Sequence, residues 1–477
     1  MLLQIVIKEI QEHLKSLRLL LTCLLLIALM VVSAVFFISE YQQQMADFSR
    51  NRNETLERLS QYASRPVALI WVFSYNWDGP WIYKTPNHLN FVSEGHDRDL
   101  PNAFSPSAFK IYGPTKRIRT NVLLWRSEAL DWGIIIGIIL SFAALILVYD
   151  AVCGERELGT LRLNLANSVS KSTLILAKFI GGLISLALAL LLGILLHLII
   201  LIGFGNIPFR GVDWGIIGLV CLLAVLYISA FLMLGLFISS RVKESATSLV
   251  VSLLCWALLV VVIPGLGGLI SSRMTSLPTS EEVFRDANRA ERETLVSYNK
   301  KNPEMEGSSY SGHWSPGEPL ERALVGSDAW SKVFDSYRNQ MIYQVEIAQK
   351  VTLVSPTACF QYGLETLVES GIFHYKRFFE QVQDYRLAMR QFLIDNYPLP
   401  LKWHAWNESI PEEERRIGRR KIEAITLDFD SIPKFEDKQT GMRKLVVRAL
   451  PYFLLLFLFN ALFFMGAYVS FIRYDVR

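Results

Sequence analysis

Six stretches of this chain are apolar for about as long as a bilayer core is thick, and they limit what it can become. A helix needs roughly 20 such residues to cross the hydrocarbon. Inside lipid, every backbone N–H and C=O must be satisfied within the helix itself. The stretches run from about Leu17 to Ser39, Trp132 to Tyr149, Leu174 to Ile202, Trp214 to Ile238, Ala246 to Ile270 and Leu445 to Ile472. The first lacks a convincing small-residue cleavage site and is long for a signal sequence, so it reads as a retained helix. Only 19% of the 477 residues are charged, against about 25% in soluble domains. That balance excludes a disordered, collagen-like or coiled-coil chain. The formal charge of +4 is not gathered into a stripe, so no nucleic-acid partner is expected.

The loops alternate in character. Lys8, Lys15 and Arg18 stand at the first stretch, Arg156, Arg162 and Lys171 lie between the second and third, and Arg241 and Lys243 link the fourth to the fifth. Arg473 and Arg477 follow the sixth. Short basic loops belong on the cytoplasmic side. The expectation is a multi-pass membrane protein with both termini inside, and with segments of about 40–131, 203–213 and 271–444 outside.

The fold class follows: an α-helical polytopic membrane protein of six transmembrane helices, with a small mixed α/β outer lobe and a larger, mainly helical extracytoplasmic domain. The divisions are 1–39, 40–131, 132–270 with a cytoplasmic segment at 150–173, 271–444 and 445–477. In the first outer region Tyr41 to Tyr62 reads as helix and Val67 to Tyr75 as an extended run closed by a turn at Asn76, Asp78, Gly79 and Pro80. In the second, Thr279 and Glu282 have capping-box spacing. Gly307 to Pro319 reads as a linker, a helix follows from Leu320 to Val354, and Ser355-Pro356 starts another. Phe378, Val382, Tyr385, Met389 and Phe392 recur at helical spacing. Glu412 to Arg420 reads as a solvated face, and Ile425 to Phe429 as a strand or extended return.

Chemistry is sparse. There is no phosphate-binding G-x-x-x-x-G-K-[ST] loop, no H-E-x-x-H and no G-x-S-x-G. No two of the seven histidines have zinc-site spacing on one helix, and the five cysteines read as small apolar packers. Neither a catalytic residue nor a resident cofactor or metal is expected. The spans hold few polar residues; His197 reads as interfacial or packed rather than part of a proton relay. Energy for transport must then come from outside the chain.

The informative stretch lies between the second and third spans: Glu155-Arg156-Glu157-Leu158-Gly159-Thr160-Leu161-Arg162, then Ser168-Val169-Ser170-Lys171 and Lys178. Physically it is a short charged helix, a glycine, an amphipathic turn and a re-entry into lipid. Glu155, Arg156, Glu157 and Arg162 would face the cytoplasm, and Leu161, Leu163 and Leu165 the membrane or a partner. Ser170 would cap the next helix. As a solvated hairpin it would do nothing further; as a rigid element it could transmit force.

This stretch resembles the signature of ABC-2 exporter permeases, "E-R-E-x-G-T-L", then "S-x-S-K/R", then a lysine opening the next span. Ser168 departs from it, standing where the family often has proline. Ile7-Lys8-Glu9-Ile10 is similar to the family's interfacial elbow helix. The long segment between spans five and six resembles the subgroup related to copper-enzyme-maturation and gliding-type permeases. The resemblance implies a separate ATPase subunit dimer carrying ATP and Mg, and a second permease subunit, expected to be a related but distinct chain. Glu155, Arg156, Glu157, Gly159, Thr160, Leu161 and Arg162 would dock on the ATPase, with Gly159 permitting a bend and Thr160 capping the following turn. Lys8 and Glu9 would either join that interface or anchor the elbow at the membrane surface. Export or extraction of a substrate is the implied activity. The alternative is a non-conducting coupler that moves the outer domains to mature or activate a periplasmic or outer-membrane partner.

Overall fold

A computed structural model describes residues 2–63, 65, 69, 72–73, 80–95, 97, 100–113, 130–161, 170–303, 319–396, 411–425 and 427–472. Six helices within these are long and apolar enough to cross a membrane. They are span one (Leu17–Ala63), two (Trp132–Glu157), three (Lys171–Gly205), four (Gly211–Arg241), five (Ser245–Met274) and six (Met442–Ile472). Before them lies α1, Leu2–Lys15. Spans two and five each contain a π-helical stretch, at Ile135–Leu140 and Ala257–Val262.

Span one does not stop at the end of its apolar run. Its 47 residues reach about 70 Å at the helical rise, so the polar helix expected at 41–62 is the same rod carried beyond the lipid. Span four supplies much of the interior: Val220, Leu223, Ala224, Tyr227 and Ile228 are fully buried, sharing one core with Trp132 and Leu140 of span two and Leu26 of span one. His197 is packed here, Nδ1 2.9 Å from the Met30 carbonyl and its ring beside Phe91 and Trp132.

The outer regions share a second core. Three short antiparallel strands, β1 (Ile82–Tyr83), β2 (Ala103–Pro106) and β3 (Ile111–Tyr112), pair in that order. In the run expected to be extended, Leu69, Val72 and Phe73 are helical instead; its other residues, Asn76, Asp78 and Gly79 of the turn, and Gly307 to Glu318 of the linker lie outside the described residues. The larger domain is helical. α3 is Ser280–Lys301, started by the Thr279–Glu282 capping box, and α4 is Leu320–Thr352. α5 is Pro356–Val368, α6 Gly371–Asn396 and α7 Glu412–Glu423. Phe378, Val382 and Met389 of α6 are fully buried against Phe104 and Phe109 of the smaller lobe. The two outer regions therefore fold on one core.

The connection between α4 and α5 sits inside the span bundle. Ser355 donates its hydroxyl to the carbonyl of Leu259, halfway along span five, and accepts from the N–H groups of Thr357 and Ala358. Ser355 thus satisfies both the new helix and the neighbouring span where water cannot. Pro356 follows at a position where no N–H is needed. Phe360 stacks on Tyr227 with centroids 4.4 Å apart, and Tyr227 donates to the Gly137 carbonyl at 2.7 Å. α5 then climbs to the outer boundary, where Gln361 donates to Glu365 at 2.9 Å and to Ser93 at 3.1 Å. Asp131 caps span two, accepting from the N–H groups of Ile134 at 2.8 Å and Glu94 at 2.9 Å. Burial pushes both Asp131 and Glu365 up to about 7, against the hydrogen bonds that oppose it. Burial would raise Asp97 as well, but Lys84 at 2.7 Å and His374 at 3.3 Å outweigh it and hold that carboxyl below its ordinary range.

Candidate functional site

The short connections gather on the face opposite the outer domain. The element after span two's apolar run is α2, Cys153–Glu157. The hydroxyl of Ser239, near the end of span four, accepts from the N–H groups of Val152 at 3.0 Å and Cys153 at 3.2 Å. These bonds seat the first turn of a helix too short to hold itself.

The charges of α2 turn inward. Glu155 accepts from the Lys178 ammonium at 2.6 Å, and Lys178 also donates to Glu9 of α1 at 2.9 Å. The exposures of the three side chains are 5% for Lys178, 7% for Glu9 and 19% for Glu155. One buried cation thus ties together α1, α2 and the first turns of span three. Gly181, a turn further on, permits the approach: a Cβ there would stand 2.8 Å from the Cβ of Glu9.

Arg156 donates to the carbonyls of Val242 at 3.1 Å and Ser240 at 3.4 Å, at the end of span four. Glu157 accepts from the N–H of Ser245 at 2.9 Å and its hydroxyl at 2.6 Å, at the start of span five. A cation on a helix C-terminus and an anion on an N-terminus both suit the helix dipoles, so α2 clamps the turn between those spans. Arg18 makes a two-pronged pair with Asp150 at 3.0 and 2.8 Å, joining the bases of spans one and two. Lys171 donates to the Ile472 carbonyl at 3.2 Å, bringing in span six. Ser170 caps span three through the N–H of Thr173, as its position led one to expect.

Several expected orientations differ. Glu155 and Arg156 are half-buried rather than free-standing, because a buried lysine draws in the first and the carbonyls at the end of span four the second. Glu157 is exposed yet engaged by Ser245. Thr160 donates to the Glu155 carbonyl at 3.2 Å and so closes the preceding turn; the following turn, which it was expected to cap, lies outside the described residues. Leu161 is buried with Val152, Leu174, Ile175 and Phe471. Glu9 is buried, whereas Lys8 is exposed and pairs with Glu12 at 3.4 Å. Arg162, Leu163, Leu165 and Ser168-Val169 lie outside the described residues.

What α2 offers outward is its tip. Leu158 is 80% exposed, and Gly159, at φ +73°, turns the chain with nothing within 4 Å of where a Cβ would be. That left-handed conformation favours glycine. Among the described residues, no three His, Cys, Asp or Glu side chains are grouped to hold a metal ion. The arrangement suits a rigid knob, with an apolar tip and a base pinned to spans three, four and five.

A family model described as ABC-2 family transporter protein matches residues 3–476. The probable ABC transporter permease protein NosY of Stutzerimonas stutzeri is 32% identical over 129 residues, a match covering 25% of this chain and 43% of that protein. The chain therefore spans less than half the length of that relative.

Proposed function

The chain belongs to the ABC-2 family of transporter proteins, and from that premise we propose that it is the membrane subunit through which a separate ATPase drives transport across the inner membrane. The supporting observation is the ion-bonded node at Lys178. A force applied at the Leu158–Thr160 tip reaches α1 and span three through Glu155, and spans four and five through Arg156 and Glu157. Helices in lipid move as rods because their backbone bonds cannot be opened cheaply there. ATP and Mg would be held by the ATPase dimer, with no catalytic residue supplied by this chain. The tip faces the cytoplasm in this reading, and Glu155, Arg156, Glu157, Gly159, Thr160, Leu161 and Arg162 serve as the coupling segment. Their roles differ: Leu158, Gly159 and Thr160 meet the partner, while the three charges carry the load inward. The second permease subunit is a related but distinct chain, and the long segment between spans five and six supports reading the protein as one of the subgroup related to copper-enzyme-maturation and gliding-type permeases.

One observation favours the non-conducting alternative, in which the cycle moves the outer domains to mature or activate an envelope partner. Helix α5 roots the outer domain halfway down the bundle, so movement of the spans is carried outward directly. The ATPase arm of the proposal is tested by co-expressing the chain with its ATPase and measuring hydrolysis. Leu158→Asp and Gly159→Pro should abolish stimulation by the permease while membrane insertion stays normal. Unchanged hydrolysis and unchanged co-purification in both would refute it.

A further inference from the structure

The outer lobes enclose a cavity of about 540 Å³, within the range of small-molecule sites. One wall is the part of span one that extends past the lipid, from Phe48 to Leu59. The opposite wall is the segment 434–438, which leads directly into span six at Met442. Between them stand Trp81, strand β1 and Tyr385 of α6. The lining is aromatic: Trp81 and Tyr83 lie 6.5 Å apart, and Tyr385 meets Phe435 edge-on at 5.9 Å. Trp81 is 38% exposed, a large apolar ring left open to the cavity.

The charges are unevenly committed. Lys434 pairs with Asp430 at 3.1 Å and covers the Phe429 ring, and Asp437 faces Arg377 at 3.4 Å. The Lys438 backbone is held from both sides by Gln381. Among the described residues, however, neither its ammonium nor the Arg52 guanidinium has a carboxylate partner, and Glu436 is the single unpaired lining carboxylate. Unpaired charge on the lining is thus two positive against one negative. We propose that this cavity binds an amphipathic anion, its apolar body on Trp81 and Phe48 and its negative head between Arg52 and Lys438. An arginine beside aromatic faces suits such a head, since it pairs with anions and tolerates partial desolvation. Because the walls are continuous with spans one and six, a ligand favouring one separation of those segments would shift the spans toward it. The inference deepens the transport reading by naming a ligand class, but binding belongs to this chain alone and needs no ATPase.

The anion could be lipid-derived or a soluble aromatic acid, and two probes separate these sources. The full chain in nanodiscs of uncharged lipid is titrated with dibromostearate and, separately, with naphthoate, following tryptophan fluorescence. The Trp81 contribution is the difference from Trp81→Phe. A saturable Trp81 signal is expected with at least one probe: dibromostearate alone indicates an acyl anion, naphthoate alone an aromatic one. The matching alcohol should bind about tenfold more weakly, the scale of one lost charge-assisted hydrogen bond. The same loss is expected in Arg52→Ala/Lys438→Ala, with binding kept in Lys438→Arg. No saturable Trp81 signal with either probe, equal affinity for the alcohol, or unchanged binding in the double variant would each overturn the proposal. None of these outcomes bears on ATPase coupling, which is read by hydrolysis.

Discussion

Lys178 is the residue on which the α2 face turns. A lysine in an apolar span must be paired, since an isolated charge there costs too much. The sequence showed it as the lysine opening the third span, but not its partners: Glu9 is 169 residues away in the chain, and no periodicity reports such a distance. Removing one partner from a buried ion set leaves the others uncompensated, at roughly 3–5 kcal/mol. Lys178→Met should therefore lower the thermal unfolding temperature sharply, and Lys178→Met/Glu9→Gln/Glu155→Gln should recover most of the loss. A triple variant as unstable as the single one would show that packing, not charge, holds the node. Gly181→Ala should cost about 1–3 kcal/mol by overpacking against α1, read in the same unfolding assay. By contrast, Gly159 was legible as a bend, and the structure supplies the reason in its left-handed backbone.

Among the elements, α5 joins the span bundle to the outer domain. Its start at Ser355-Pro356 was visible in the sequence, because the serine cap and the proline after it are local signals. Its depth was not, because an apolar helix face looks the same against a soluble core as against spans. The same ambiguity hid span one's continuation: a change from apolar to polar residues marks the edge of the lipid, not the end of a helix. At the upper end of α5 the buried acids Asp131 and Glu365 have pKa values near 7 in the folded chain, above the ordinary carboxyl range. The folded state therefore holds protons that the unfolded chain releases as pH rises from about 4. Their contribution to stability is full in acid and is lost as pH climbs through 7. Asp97 has the opposite sign, its contribution lost only in strong acid. Between pH 5 and pH 8 the first pair governs, so unfolding temperature should fall with rising pH, and Asp131→Asn/Glu365→Gln should flatten that slope. A wild-type slope that persists unchanged in the double variant would place the titration elsewhere.

For the molecule as a whole, two faces do different work. One collects α1, α2 and the ends of the spans into an ion-bonded block; the other gathers both outer regions onto one core and sends α5 back into the bundle. The count of spans and the helical character of the outer domain were readable because apolar length and helical spacing are local properties. The union of the two outer regions was not, since Phe104 and Phe378 meet across a gap in sequence that contains four spans. The central claim is that the tip of α2 is where an external motor pushes. Replacing Leu158 with a photo-crosslinking residue in the complete complex tests it most directly. A crosslink to the ATPase subunit whose yield changes between the nucleotide-free and ATP-bound states is expected. Absence of that crosslink in both states, with the ATPase still bound to the complex, would contradict the claim.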